Sequence, residues 1–351
     1  MKTIKLDEMD NKRKNIYTII DNNTRSWDIK VKKTKWGNGV SKNSYSFDIK
    51  DIENKYKDKK IEVISDYLKK TFEINESEFS SFDRAITQVC SGPGNEAEKI
   101  TVLLSSSLCC LLFFYNIKEK PIEIDLGNNN IVRFNRAFFE VQNEVINNTS
   151  NVDVVLVSEN KKTVLFLESK FAEYYLYNGC YHISTQYLDH RISKTFYNTE
   201  IMNSFNFTIK TKKDGTIEKK TDEDGYETFC VDSKKTINKK CKGYVEGVKQ
   251  MMSHYIGVDN FLENKQKIIK QINDVLELPN DIKVFLGEIM FNFQDNTDMV
   301  AYLQDYENKY IQLKEHLTSN KNIILLPKVL HYSDYTNRLN AKIRQFYYGD
   351  K

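Results

Sequence analysis

The stretch VDVVLVSENKKTVLFLESKF, residues 152–171, constrains the fold more than any other part of the chain. Two runs of branched and aromatic apolar residues flank a polar ENKK turn, the pattern of two core strands joined as a hairpin. Opposed residues in an antiparallel pair have numbers of constant sum. A turn centred on Asn160-Lys161 makes that sum 321 and sets Asp153 directly across from Glu168, about 5 Å apart at Cβ. Lys170, two residues beyond Glu168, shares their face. Two carboxylates and an ammonium therefore converge at one end of an apolar hairpin. Like charges at that distance repel, and desolvation adds to the cost. A hard divalent cation such as Mg²⁺, which takes one or two carboxylates and fills its octahedron with water or phosphate oxygens, would hold them together. The competing reading is a strand end emerging into solvent with an ordinary Asp/Lys bridge. ExK alone carries no weight, because the chain repeats it at Glu53, Glu159, Glu218, Glu263 and Glu307 in polar surroundings.

The chain has 351 residues, 40% of them hydrophobic and 12% aromatic, enough to fill one large core or two modest ones and unlike a disordered composition. The net charge is only +3, but residues 1–60 hold 16 Lys/Arg against 9 Asp/Glu. This local excess fits an anionic partner, with Lys30, Lys32, Lys33 and Lys35 as candidate contacts, and equally a solvated lysine-rich face. The six cysteines form no CxxC pair and have no histidine at zinc-finger spacing, which predicts no zinc site. The charged opening MKTIKLDEMDNKRK does not read as a signal peptide, so the expectation is a cytoplasmic protein with reduced thiols. The run ITVLLSSSLCCLLFFYNI, residues 100–117, is uncharged for 18 residues. Its three serines and missing aromatic belts favour a helix buried on nearly all sides over a membrane span.

Along the chain, residues 1–90 read as a mixed α/β, basic region with short alternating runs (SYSFDIKDI, KIEVI) and a possible helix over 64–72. Asn95 as N-cap with Glu98 three residues on predicts a helix from about 95 to 115. Strand alternation over 138–146 and the hairpin then give three strands in succession. The insertion at about 200–242 contains Asp-Gly pairs at 214/215 and 224/225 that mark hairpin turns. GYVEGVKQMMSHYIGVDNFL has helical spacing, KVFLGEIMFNF reads as a further buried strand, and a C-terminal extension from about 295 holds a polar helix, a short strand and a last helix.

Asp153 followed by Glu168-x-Lys170 on adjacent strands, after a long buried helix, resembles the PD-(D/E)XK nuclease superfamily over about 95–175 and 244–293. Val152 stands where that motif has its proline. The resemblance implies an α/β, restriction-endonuclease-like core of helix, three-stranded antiparallel meander, helix and further strand, here spanning 91–351 with the insertion and extension. It further implies Mg²⁺-dependent hydrolysis of DNA phosphodiester bonds, with Mn²⁺ able to substitute. Asp153 and Glu168 would hold the metal and Lys170 would orient or help deprotonate the attacking water. Members add an acidic residue from the first helix. Glu96 is favoured because Glu98 is used in the capping box, and at 100° per residue Glu96 shares a face with Ile100, Leu103, Leu104 and Leu111. Some members carry a Gln and Tyr on the second helix; Gln250 and Tyr255 are one residue too far apart for that pattern, leaving Lys249 and Gln250 as possible DNA contacts. The implied partner is double-stranded DNA, with a homodimer as a possible assembly. A non-catalytic DNA-binding or interaction protein on the same scaffold, and an RNA nuclease, are the alternatives. The five histidines form no HExxH set, and no GxSxG or phosphate loop of the GxxxxGK[ST] type occurs.

Overall fold

A computed structural model describes residues 4–36, 41–49, 60–92, 99–146, 148–177, 179–223, 225–237, 241–263, 281–317 and 322–349. The N-terminal region begins with α1 (Asn11–Asn23), capped by the Asp10 side chain on the Arg13 amide, and continues with an antiparallel ribbon of β1 (Val31–Trp36) and β2 (Ser41–Phe47). Helices α2 (Lys60–Thr71) and α3 (Phe79–Cys90) follow and pack on each other. KIEVI, which alternation reads as a strand, is the first turns of α2, whose inner stripe is Val63, Ile64 and Leu68.

The apolar run resolves differently from the expected helix over 95–115. Phe47 N donates to Thr101 O, Leu103 N donates to Tyr45 O, and Val102 bridges to Ser46, so this stretch lies along the edge of β2. The helix starts only where Ser105 caps it through Leu108 N. It is α4 (Ser106–Phe114), nine residues buried on nearly every side. At 1.5 Å per residue that is roughly 14 Å, half of a bilayer core. Among the described residues no helix is long and apolar enough to cross a membrane.

The central element is a seven-stranded mixed sheet. β3 (Ile122–Asp125), β4 (Ile131–Glu144), β5 (Thr149–Ser158) and β6 (Thr163–Lys170) run antiparallel in chain order. The chain then leaves the sheet for an excursion containing β7 (Tyr181–Ser184), β8 (Phe207–Ile209), β9 (Lys219–Thr221) and β10 (Glu227–Ser233), a second sheet ordered β7-β10-β8 with β9 also on β10. Gly215 and Gly225 take the positive φ expected of the two Asp-Gly turns. A small ribbon of β11 (Lys235–Ile237) and β12 (Cys241–Lys242) leads into α5 (Val245–Glu263). β13 (Lys283–Met290) then re-enters the main sheet parallel to β6, with β14 (Ile323–Leu325) and β15 (Leu330–His331) parallel on its other side. A polar helix, α6 (Thr297–His316), lies between, and α7 (Ala341–Tyr348) ends the described chain.

All eight residues of β6 are buried, which requires cover on both faces. Alternation along the strand identifies that cover. Ser169 Oγ meets the first residue of α4 at Ser106 O (3.3 Å), whereas Glu168 meets His254 of α5, so the two helices sit on opposite faces. α5 comes close because residue 257 has no side chain: a Cβ there would stand 2.8 Å from Asn143 Cβ on β4. The thiols are not all reduced as expected, for Cys180 and Cys230 are joined by a disulfide.

Candidate functional site

The hairpin has the predicted register: Val154 pairs with Leu167, Val155 with Phe166 and Val157 with Val164. The backbone ladder stops at Val154, and Asp153 takes over with its side chain, Oδ2 accepting from Ser169 N at 2.7 Å. The half-buried Asp153 is thus tied to the strand bearing Glu168 and Lys170.

Glu168 and Lys170 are only 3% and 4% exposed. Lys170 Nζ donates to Glu168 Oε1 at 2.5 Å, and His254 Nε2 lies 2.8 Å from Glu168 Oε2 but outside hydrogen-bond alignment. His254 is itself held through Nδ1, 2.6 Å from Ser150 Oγ. Burial pushes the Glu168 carboxyl upward, yet Lys170 and His254 beside it prevail and hold it down at about 2. Burial likewise favours neutral Lys170, but Glu168 outweighs it and raises the ammonium well above its usual value. The pair is ionised throughout the neutral range. Glu173 closes this end of the strand by accepting from Phe171 N and Ala172 N.

Two further acids lie in the same rows. Parallel pairing sets Glu288 of β13 beside Glu168. It is fully buried, accepts from Tyr306 Oη at 2.7 Å through Oε1, and its Oε2 has no hydrogen-bond partner. Burial pushes its carboxyl up to about 8, against the lowering from Tyr306 and Lys170, so Glu288 is mostly protonated at neutral pH. On the other side, Val141 pairs with Val152 and Phe139 with Val154, which leaves Glu140 of β4 opposite Asp153. Glu140 has φ 52°, a left-handed conformation inside a strand that costs an ordinary side chain about 1–2 kcal/mol. Gly92 makes room for it, since a Cβ there would stand 3.0 Å from Glu140 Cβ. Burial pushes the Cys110 thiol upward, and the nearby Asp153, Cys109 and Glu140 add to the rise.

A cleft lined by Ser81, Arg84, Gln88, Lys118, Asn135 and Arg136 reaches Phe139, one residue before Glu140. Gln88 anchors that turn of the strand by accepting from Phe139 N.

The sequence therefore brought Asp153, Glu168 and Lys170 into one neighbourhood but missed Glu140, His254 and Glu288. A lone Glu inside the apolar run KVFLGEIM was a usable signal for Glu288; nothing in the sequence marks Glu140. Glu96 and Glu98 lie outside the described residues. The described helix of this run begins at Ser106, and Ile100, Leu103 and Leu104 precede it. Lys249 and Gln250 are half-buried on α5, Gln250 with a buried Oε1 that has no hydrogen-bond partner, and Tyr255 is in the core. Lys30 precedes β1, and Lys32, Lys33 and Lys35 stand on it. Alternation sends Lys32 and Lys33 to opposite faces, and Lys32 approaches Asp48 at 3.9 Å. Lys32 and Lys33 thus do not share a patch. No protein-family model, no curated protein and no solved structure matches the chain.

Proposed function

We propose that the protein is a Mg²⁺-dependent endonuclease that hydrolyses DNA phosphodiester bonds on a restriction-endonuclease-like core. The observation that carries the reading is the hairpin register, which continued one step past Val154–Leu167 sets Asp153 opposite Glu168, with Asp153 bonded to Ser169 N and Lys170 bonded to Glu168. The order α4, β4 to β6, α5, β13, with β13 parallel to β6, is the arrangement that reading requires.

The residues suit a hard cation. Asp153 and Glu168 supply carboxylate oxygens from adjacent strands, and Glu168 Oε2 is buried without a hydrogen bond. Mg²⁺ held by Asp153 and Glu168, or Mn²⁺ in its place, would neutralise charge on the scissile phosphate. Lys170, kept protonated by Glu168, acts as a donor that orients rather than as a base. Arg84, Lys118 and Arg136 line the cleft that would receive neighbouring phosphates of double-stranded DNA, and a homodimer would let two such sites address both strands.

A second reading has a specific observation in its favour. Glu168 and Lys170 neutralise one another in the interior with His254 alongside, as a structural ion pair would, which suits a non-catalytic DNA-binding or interaction protein. Incubation of supercoiled plasmid, linear duplex and single-stranded RNA with Mg²⁺ or Mn²⁺, against EDTA, separates the readings. Metal-dependent DNA cleavage, lost in Asp153→Ala with DNA binding retained, is the expected result. RNA cleavage alone moves the substrate to RNA, and intact nucleic acid under every condition removes the nuclease reading.

A further inference from the structure

Beyond the end of β6, the excursion sheet gathers a second set of metal-ligating side chains. Cys230 on β10 pairs directly with His182 on β7, and Cys180 precedes His182 by two residues, so all three occupy one face of the two-stranded ladder. The other face is core: Ile183, Phe229 and Val231 are buried there. One ligand atom from each of Cys180, His182 and Cys230 lies within 4.8 Å of the other two. Cys180 and His182 are exposed and Cys230 is half-buried, so the group does no packing work that would explain it.

Two thiols and one imidazole are donors for a borderline metal and not for Mg²⁺, which requires oxygen. Tetrahedral zinc brings its sulfur ligands to about 3.8 Å and binds at about 2.3 Å to sulfur and about 2.0 Å to nitrogen. A spread of at most 4.8 Å is close to that geometry, and the sulfur–sulfur bond has to open before both sulfurs can serve as ligands. We propose that Cys180, His182 and Cys230 form a redox-gated zinc site: closed by the disulfide when oxidised, and a two-thiolate, one-imidazole site when reduced. A dithiol reductant opens it, the Cys180–Cys230 bond taking up two electrons and two protons while the reductant becomes a cyclic disulfide. Zinc then displaces one proton from each thiol to solvent, and a fourth position stays open to a small ligand such as water. Either state clamps β7 to β10 across a separation of 50 residues, so the clamp survives a change of redox environment.

The test uses the full chain, with and without dithiothreitol, exposed to zinc and desalted before metal analysis. The expected result is about one zinc per reduced chain and none on the oxidised chain. His182→Ala and Cys180→Ser should each weaken zinc binding at least about tenfold in competition with a chelating dye. Cobalt(II) should give a thiolate charge-transfer band that Cys180→Ser and Cys230→Ser each diminish and the double variant loses. Asp153→Ala should bind zinc like the parent, which separates this site from the proposed nuclease centre. His182→Ala keeps both cysteines, and circular dichroism verifies its fold. A reduced chain that takes up no zinc, variants that bind like the parent, or a disulfide that survives the reductant by intact mass would each overturn the proposal.

Discussion

Replacing Glu288 by Gln should make the protein more stable, and increasingly so as pH rises. The amide oxygen can still accept from Tyr306 Oη, and the volume is unchanged, so packing is preserved. What changes is the proton balance. The folded chain holds the Glu288 proton up to about 8, whereas an unfolded chain releases it near the ordinary 4.5. A raised carboxyl binds its proton more tightly in the folded state, so wild-type stability falls as pH rises through the window from 4.5 to about 8. The slope is about 1.4 kcal/mol per pH unit, which accumulates to on the order of 4–5 kcal/mol. That is a large share of the 5–15 kcal/mol typical of a domain. Urea unfolding of wild type and Glu288→Gln at pH 5, 7 and 9, followed by circular dichroism, should therefore give near-equal midpoints at pH 5 and a widening advantage for the variant. A constant difference across the series would mean that Glu288 is hydrated or paired with a cation, and the buried, protonated description would be wrong.

The Glu168–Lys170 pair should behave as a unit: Glu168→Gln or Lys170→Met alone should cost about 3–5 kcal/mol at pH 7, and the double variant should recover much of that loss in a urea-unfolding cycle. Additive effects below about 1 kcal/mol would place both groups in solvent. Because Glu168 is depressed to about 2, its contribution is present above the ordinary 4.5 and disappears as pH falls through about 2, an acid limb that Glu168→Gln should lack. Glu140→Gln should lower cleavage at least about tenfold, with an unchanged melting temperature, if its carboxylate joins the centre beside Asp153; unchanged turnover confines Glu140 to packing against Gly92. Arg84→Ala with Arg136→Ala should reduce the slope of log DNA affinity against log salt by about 2. The combined neutralisation of Lys30, Lys32, Lys33 and Lys35 should change that slope less, since Lys32 and Lys33 face opposite ways; the reverse ranking would move the DNA face to the β1–β2 ribbon.

Legibility followed the range of the interactions involved. The hairpin register was readable because one turn sets every pair in it, and Asp153 against Glu168 followed by arithmetic. α5 and β13 were readable because their apolar spacing is unbroken over many residues. The start of α4 was not. Asn95 and Glu98 make a sound local capping signal, but over 100–104 Val102 pairs with Ser46 and Leu103 N with Tyr45 O, contacts more than fifty residues apart that hold these residues in turns until Ser105 caps α4. Glu140 acquires its role from a backbone conformation that propensity disfavours, and Glu288 from a parallel neighbour more than a hundred residues away. The Cys180, His182 and Cys230 set escapes any spacing rule because its ligands come from two strands with most of the excursion between them.

The packing of α7 also sets the order in which the chain can mature. Trp27 Nε1 donates to Gln345 Oε1, Asn23 donates to Phe346 O, and Phe346 lies among Trp27, Phe47 and Phe72. Trp27 and Gln345 are 318 residues apart, so at synthesis rates of roughly 5–20 residues per second the N-terminal aromatic cluster waits about 15–60 s for its last ring. During that interval its apolar surface is open at the ribosome, where chaperones act. Trimming the chain before Ala341 should leave this early-made region, rather than the late-made one, as the part that fails to fold.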